Sequence, residues 1–110
     1  MKESTEETAK EVTNKKTDRL GNDNFIFIGS KPLVNYIRGV ITQFTKKDAS
    51  EVVIKSRGKF ISKAVDVAEV ARRSLENAVK VKEVSIGSES FESEGKRTNI
   101  STMDITLIKE

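Results

Sequence analysis

The 110-residue chain contains no cysteine and no histidine. Without cysteine it can form neither disulfides nor thiolate metal sites. Without histidine it has no imidazole base or ligand, and only an all-carboxylate metal site would remain. Missing cysteine fits an intracellular chain, because disulfides belong to oxidising compartments. Apolar runs are only a few residues long, so no segment reads as a membrane span. The opening MKESTEETAKEV has no apolar core of the kind a secretion signal needs. The expected setting is therefore the cytoplasm, with no membrane contact. Apolar residues make up 35% of the chain and charged residues 34%, so the core must be small and self-association would help to stabilise it.

What is present divides unevenly along the chain. Residues 1–23 hold five basic and six acidic side chains and are almost free of large apolar ones, Leu20 being the exception within the run. Such a segment cannot bury enough surface to offset its ordering entropy, so a disordered polar tail is expected over 1–23 and one folded domain over 24–110. In the domain, NFIFI (24–28) is a short apolar run closed by Gly29, which predicts a strand buried on both faces. Ser30 is a candidate helix N-cap with Pro32 in the first turn, and Leu33, Ile37, Val40 and Phe44 recur at helical spacing. Gly39 lies inside that helix against propensity and suggests close packing on a neighbour. EVVIK (51–55) predicts a second strand. Ser62 is a candidate cap for a second helix with Ala64, Val65, Ala68, Ala71 and Leu75 on one face. Two strand-like runs follow, VKVKEVSIGSESF and NISTMDITLI, and ESEGK (92–96) between them predicts the tip of a long hairpin. The order β-α-β-α-β-β implies right-handed crossovers. The expected fold is thus an α+β two-layer sandwich, with a four-stranded mixed sheet, both helices on one face and a long hairpin from the last two strands.

Catalysis finds no support. Neither IGSKPLV nor SRGKFIS has the GxxxxGK[ST] spacing of a nucleotide-binding loop. Ser56 with Lys59, and Ser93 with Lys96, satisfy S-x-x-K, but chance accounts for a four-residue pattern in a chain rich in both residues. Asp66 and Glu69 sit one turn apart beside Lys63, Arg72 and Arg73, which predicts surface ion pairs rather than acid–base chemistry. No small-molecule substrate, cofactor or metal is implied.

Charge distribution says more. Lys31 to Lys82 contains twelve basic and five acidic residues, whereas Glu83 to Gly95 contains four acidic residues and no basic one. The cations gather at two strand-to-helix turns, which in parallel units lie at the same edge of the sheet. Lys31, Arg57 and Lys59 should therefore lie near one another. Such an edge suits a polyanion backbone, with solvation of an ordinary surface as the plain alternative. Aromatics are only 5% of the chain, so backbone contact is favoured over stacking on bases.

IGSKPLVNYI, EVVIKSRGKFISKAVDVAEVARR and IGSE…ISTMDITL together resemble the Alba family of archaeal chromatin proteins, over about residues 24–109. The resemblance implies the same β-α-β-α-β-β sandwich, similar to the carboxy-terminal domain of bacterial translation initiation factor three. It also implies a dimer that binds double-stranded DNA, and RNA, mostly without sequence preference. In this family the body contacts the phosphate backbone while two hairpins follow the minor groove. By match of motif, the nucleic-acid-binding residues would be Lys31, Lys55, Arg57, Gly58, Lys59, Lys96 and Arg97. Leu75 would fall at an apolar dimer–dimer contact. Two departures stand out. Ser30 replaces the first lysine of the family's Gly-Lys-Lys-Pro, which is the acetylation-sensitive position. The hairpin carries Glu89, Glu92 and Glu94, which repel phosphate. Weaker binding than in a highly basic member, with a shallower salt slope, is expected.

Three functions stay open at this level. The first is a homodimeric architectural DNA-binding protein associated with the chromosome. The second is an RNA-binding module, such as a protein partner of ribonuclease P. The third is a heterodimer partner that tunes a more basic paralogue.

Overall fold

The computed structural model describes residues 24–110; the tail expected over 1–23 lies outside the described residues. Strand β1 (Phe25–Phe27) leads to helix α1 (Leu33–Thr45), strand β2 (Glu51–Arg57), helix α2 (Ile61–Ser74) and strands β3 (Val79–Ser93) and β4 (Lys96–Lys109). The sheet order is β1-β2-β4-β3, with β1 and β2 parallel and the other pairs antiparallel. Parallel neighbours need a crossover, and α1 supplies it. The expected element order, mixed sheet and long hairpin are those observed.

Alternation along the strands decides which face is covered. In β2, Val52, Ile54 and Ser56 are buried, and their partners across the β2–β4 ladder are Leu107, Ile105 and Met103. These residues meet Val40 and Phe44 of α1 and Ala64, Val67, Ala68 and Ala71 of α2 in one core. Burying each large aliphatic side chain contributes roughly 1.5–3 kcal/mol. The alanines let α2 lie close to the sheet. Ser56 satisfies its buried hydroxyl by donating to the Met103 carbonyl at 3.2 Å.

Several local expectations are corrected. β1 is an edge strand covered on one face only: Ile26 packs on the core, whereas Phe27 is 66% exposed on the other face. Ser30 does not cap α1. The helix begins at Leu33 with Pro32 in the cap position, where proline's missing N–H leaves no orphan donor. Ser62 is likewise inside α2, because a 3₁₀ turn at Gly58–Phe60 feeds directly into the helix at Ile61. Val67, not Val65, completes the buried face of α2. Gly39 faces Ile26, but an added methyl would stand 3.6 Å from it, so no tight approach requires the glycine.

The last two strands outrun the sheet. β2 ends at Arg57, opposite Thr102, and Gly87 flanks Thr102 on the other side. Beyond that row, residues 88–93 and 96–101 pair only with each other, an arm of about 20 Å at ~3.3 Å per residue. The described residues accordingly span 48 × 26 × 24 Å. Glu94 and Gly95 close the arm with φ of 52° and 78°, both in the left-handed region that two-residue hairpin turns demand.

Candidate nucleic-acid interface

β1 and β2 run side by side, so the segments leaving them emerge at one edge. The Ile28 amide still donates to the Lys55 carbonyl at 2.9 Å, after which the two paths diverge into α1 and α2. The loop before α1 is fixed from two sides. The Tyr36 hydroxyl accepts from the amides of Gly29 (2.9 Å) and Lys31 (3.1 Å). The Lys63 ammonium, from the first turn of α2, donates to the carbonyls of Gly29 (2.7 Å) and Lys31 (2.5 Å). Lys63 also lies 5.2 Å from the centre of the Tyr36 ring and 5.8 Å from that of Phe60. The result is a stitched corner in which each turn holds the other.

Lys31 and Lys59 are both exposed at this corner. Lys59 rides in the 3₁₀ turn with its ammonium 5.5 Å from the Phe60 ring. Gly58 opens that turn at φ +58°, a conformation L side chains resist, and this explains the glycine between two cations. Among the described residues, neither Lys31 nor Lys59 has a carboxylate within ion-pair distance.

Lys55 and Arg57 differ. They alternate with Ile54 and Ser56 and so belong to the sheet face away from the helices. Lys55 pairs with Asp104, its direct cross-strand neighbour, at 2.8 Å and lies 5.2 Å from the Phe25 ring. Arg57 pairs with Glu89 of the arm at 2.7 Å. Lys96 and Arg97 start β4 near the arm's tip, opposite Ser93 and Glu92. Leu75 follows the last turn of α2 and is half-buried against the core. The structure therefore sorts the sequence-predicted residues into a corner (Lys31, Gly58, Lys59), an ion-paired sheet face (Lys55, Arg57), an arm (Lys96, Arg97) and, apart from these, Leu75.

Two residues that build the corner were not singled out by sequence. Lys63 is expected from sequence to pair with Asp66, whereas its ammonium goes to the Gly29 and Lys31 carbonyls instead. A signal for Lys63 existed: a cation in the first turn of a helix opposes the helix dipole and needs another reason to be there. Elsewhere on α2 the expected surface pairing holds, with Arg72 2.8 Å from Glu69.

The Alba family model matches residues 24–88. The DNA/RNA-binding protein Alba of Methanococcus maripaludis is 44% identical over 88 residues, covering 79% of this chain and 99% of that protein. The DNA/RNA-binding protein Alba 1 of Archaeoglobus fulgidus is also 44% identical over 88 residues, covering 80% of this chain and 98% of its own length. The solved structure of Alba from Thermoplasma volcanium superposes with a TM-score of 0.72 and 43% identity, over 78% of this chain and 100% of that one.

Proposed function

The chain belongs to the Alba family, and on that premise we propose that it is a dimeric, largely sequence-independent binder of double-stranded DNA with an architectural role on the chromosome. The relatives are named for binding rather than for a reaction, and the chain is not an enzyme. One observation carries the proposal: the stitched corner presents Lys31 and Lys59, with no carboxylate partner among the described residues, at the edge where two parallel strands end. Lysines at such an edge suit phosphate contact, which makes binding tolerant of sequence and sensitive to salt. Arg57 and Lys55 extend the footprint along β2, and Lys96 and Arg97 take the arm into a groove.

Dimerisation is supported by the edge of the sheet. Among the described residues β3 is a 15-residue edge strand whose Val84 and Ile86 share the helix-side face with Ile105 and Met103, yet remain 52% and 77% exposed. A long unpaired apolar edge is a liability in a monomer and a natural seam for a second copy or a paralogue. In this assembly Leu75 would serve contacts between dimers. The four acidic residues of Glu83–Gly95, with Ser30 in place of a lysine, set the affinity below that of a highly basic relative.

Anisotropy titration of a random-sequence duplex at about 50 and about 200 mM salt tests the proposal. Binding should weaken steeply with salt and be indifferent to sequence, whereas tight, salt-insensitive binding would overturn it. Because the relatives' names join DNA and RNA, the same titration with duplex RNA and stem-loops decides between the two polymers. Preference for RNA at equal salt favours the RNA-binding reading. A homodimer that binds neither polymer until mixed with a paralogue favours the heterodimer.

A further inference from the structure

The Arg57–Glu89 pair ties the end of β2 to the arm across the intervening β4. Arg57 ends β2, Glu89 lies in the free arm of β3, and β4 runs between those strands. Their 2.7 Å contact is made with 55% and 56% of the two side chains exposed. The other pair on this sheet face, Lys55 with Asp104, joins direct ladder partners and is less exposed, at 32% and 37%. Arg57–Glu89 can open by side-chain rotation alone, and exposed ion pairs are weak and screened by salt.

A guanidinium receives a carboxylate and a phosphate with the same planar donors. We propose that Glu89 is a built-in competitor for the nucleic-acid phosphate at Arg57: it fills the anion position in the free protein and must be displaced before Arg57 can take a backbone phosphate. This rests on the nucleic-acid-binding function proposed above. Glu89 thereby becomes an affinity-determining residue that makes no attractive contact with the nucleic acid. Displacement also removes one tie between the arm and the end of β2. A displaced Glu89 remains near the phosphate and repels it, so its effect operates in both the free and the bound states.

The test is a double-mutant cycle on duplex DNA, measured by anisotropy from about 50 to about 200 mM salt, with Arg57→Ala, Glu89→Gln, the double variant and Glu94→Gln. Glu94→Gln removes the same charge from the arm's tip, where nothing pairs with Arg57. Glu89→Gln should tighten binding about three- to tenfold at the lower salt, more than Glu94→Gln does, with the advantage shrinking as salt rises. In the Arg57→Ala background the gain should fall to that of Glu94→Gln. A gain that persists undiminished without Arg57, or one no larger than that of Glu94→Gln, would show only general charge and overturn the competition. Arg57→Ala alone reports separately on the footprint. If it leaves affinity and salt slope unchanged, Arg57 takes no phosphate and the failure belongs to the proposed interface.

Discussion

The ammonium of Lys63 donates to the backbone carbonyl of Gly29 at 2.7 Å, so the first turn of the second helix fastens the loop that precedes the first. A second bond from the same nitrogen to the Lys31 carbonyl completes the tie. Carbonyl oxygens and two aromatic faces offset the unfavourable position of a cation at a helix N-terminus. Lys63→Met keeps the stem and removes both bonds, and should destabilise the fold by about 1–3 kcal/mol in urea melts. Duplex affinity should fall as well, because Lys31 loses its fixed position. Lys63→Arg should recover part of both. Unchanged stability and affinity in the methionine variant would mean that the tie does not hold the corner.

Arg57 and Lys59 flank Gly58 and together should account for about two counterions. Replacing both with alanine is expected to weaken binding equally across unrelated duplex sequences and to lower the salt slope by about two at most. A loss confined to particular sequences would imply base reading instead of backbone contact.

How far the sequence disclosed this arrangement depends on how local each feature is. Alternation in Met103, Ile105 and Leu107 is a two-residue period and fixed the covered face of β4 without any tertiary knowledge. The helical repeat of Leu33, Ile37, Val40 and Phe44 did the same for α1. Helix starts were less legible, because Ser30 and Ser62 are good caps by type while Pro32 and the Gly58–Phe60 turn decide the starts through backbone geometry. The burial of NFIFI was misread because an apolar run does not reveal whether its strand is central or at an edge. The corner's cations were visible from charge clustering. Lys63's tie to Gly29 and Glu89's pairing with Arg57 span 34 and 32 residues, and no local pattern reports contacts that distant.

Gly58 has room for a Cβ, which would stand 3.5 Å from Ile100, an ordinary contact. Its φ of +58° is the obstacle. Gly58→Ala should therefore cost about 1–2 kcal/mol, through backbone strain alone, and Gly58→Asn should cost less. Thermal melts of the two variants check the order; equal and negligible losses would mean that the turn relaxes to another conformation.

Asp48 accepts a hydrogen bond from Lys109 at 2.5 Å, and this bond, followed by the lysine's charge, holds the carboxyl below its ordinary range. A carboxyl depressed in the folded state contributes stability above its unfolded value, and the contribution is lost as pH falls through the lower folded value. Asp48→Asn should thus be slightly less stable than the parent near pH 6, with the difference closing under strongly acidic conditions. Urea midpoints at the two extremes would reveal it, and a difference that instead grows in acid would contradict the pairing.

Ile86 is 77% exposed on an edge strand, so Ile86→Asp removes nothing from the monomer's core. If a second chain covers this edge, a buried, unpaired carboxylate there should split the dimer while leaving the helix content of each chain intact. Light scattering should then report the mass of one chain where the parent shows two. Duplex affinity should drop far more than one added negative charge explains, because two linked sites reinforce each other by a factor on the order of 10² or more. Lys80→Asp is the control, an exposed charge reversal that shifts charge by two rather than one, on the same strand but on the opposite sheet face, where it should leave the mass unchanged. A dimer that survives Ile86→Asp would move the seam away from β3 and leave its apolar edge to another partner.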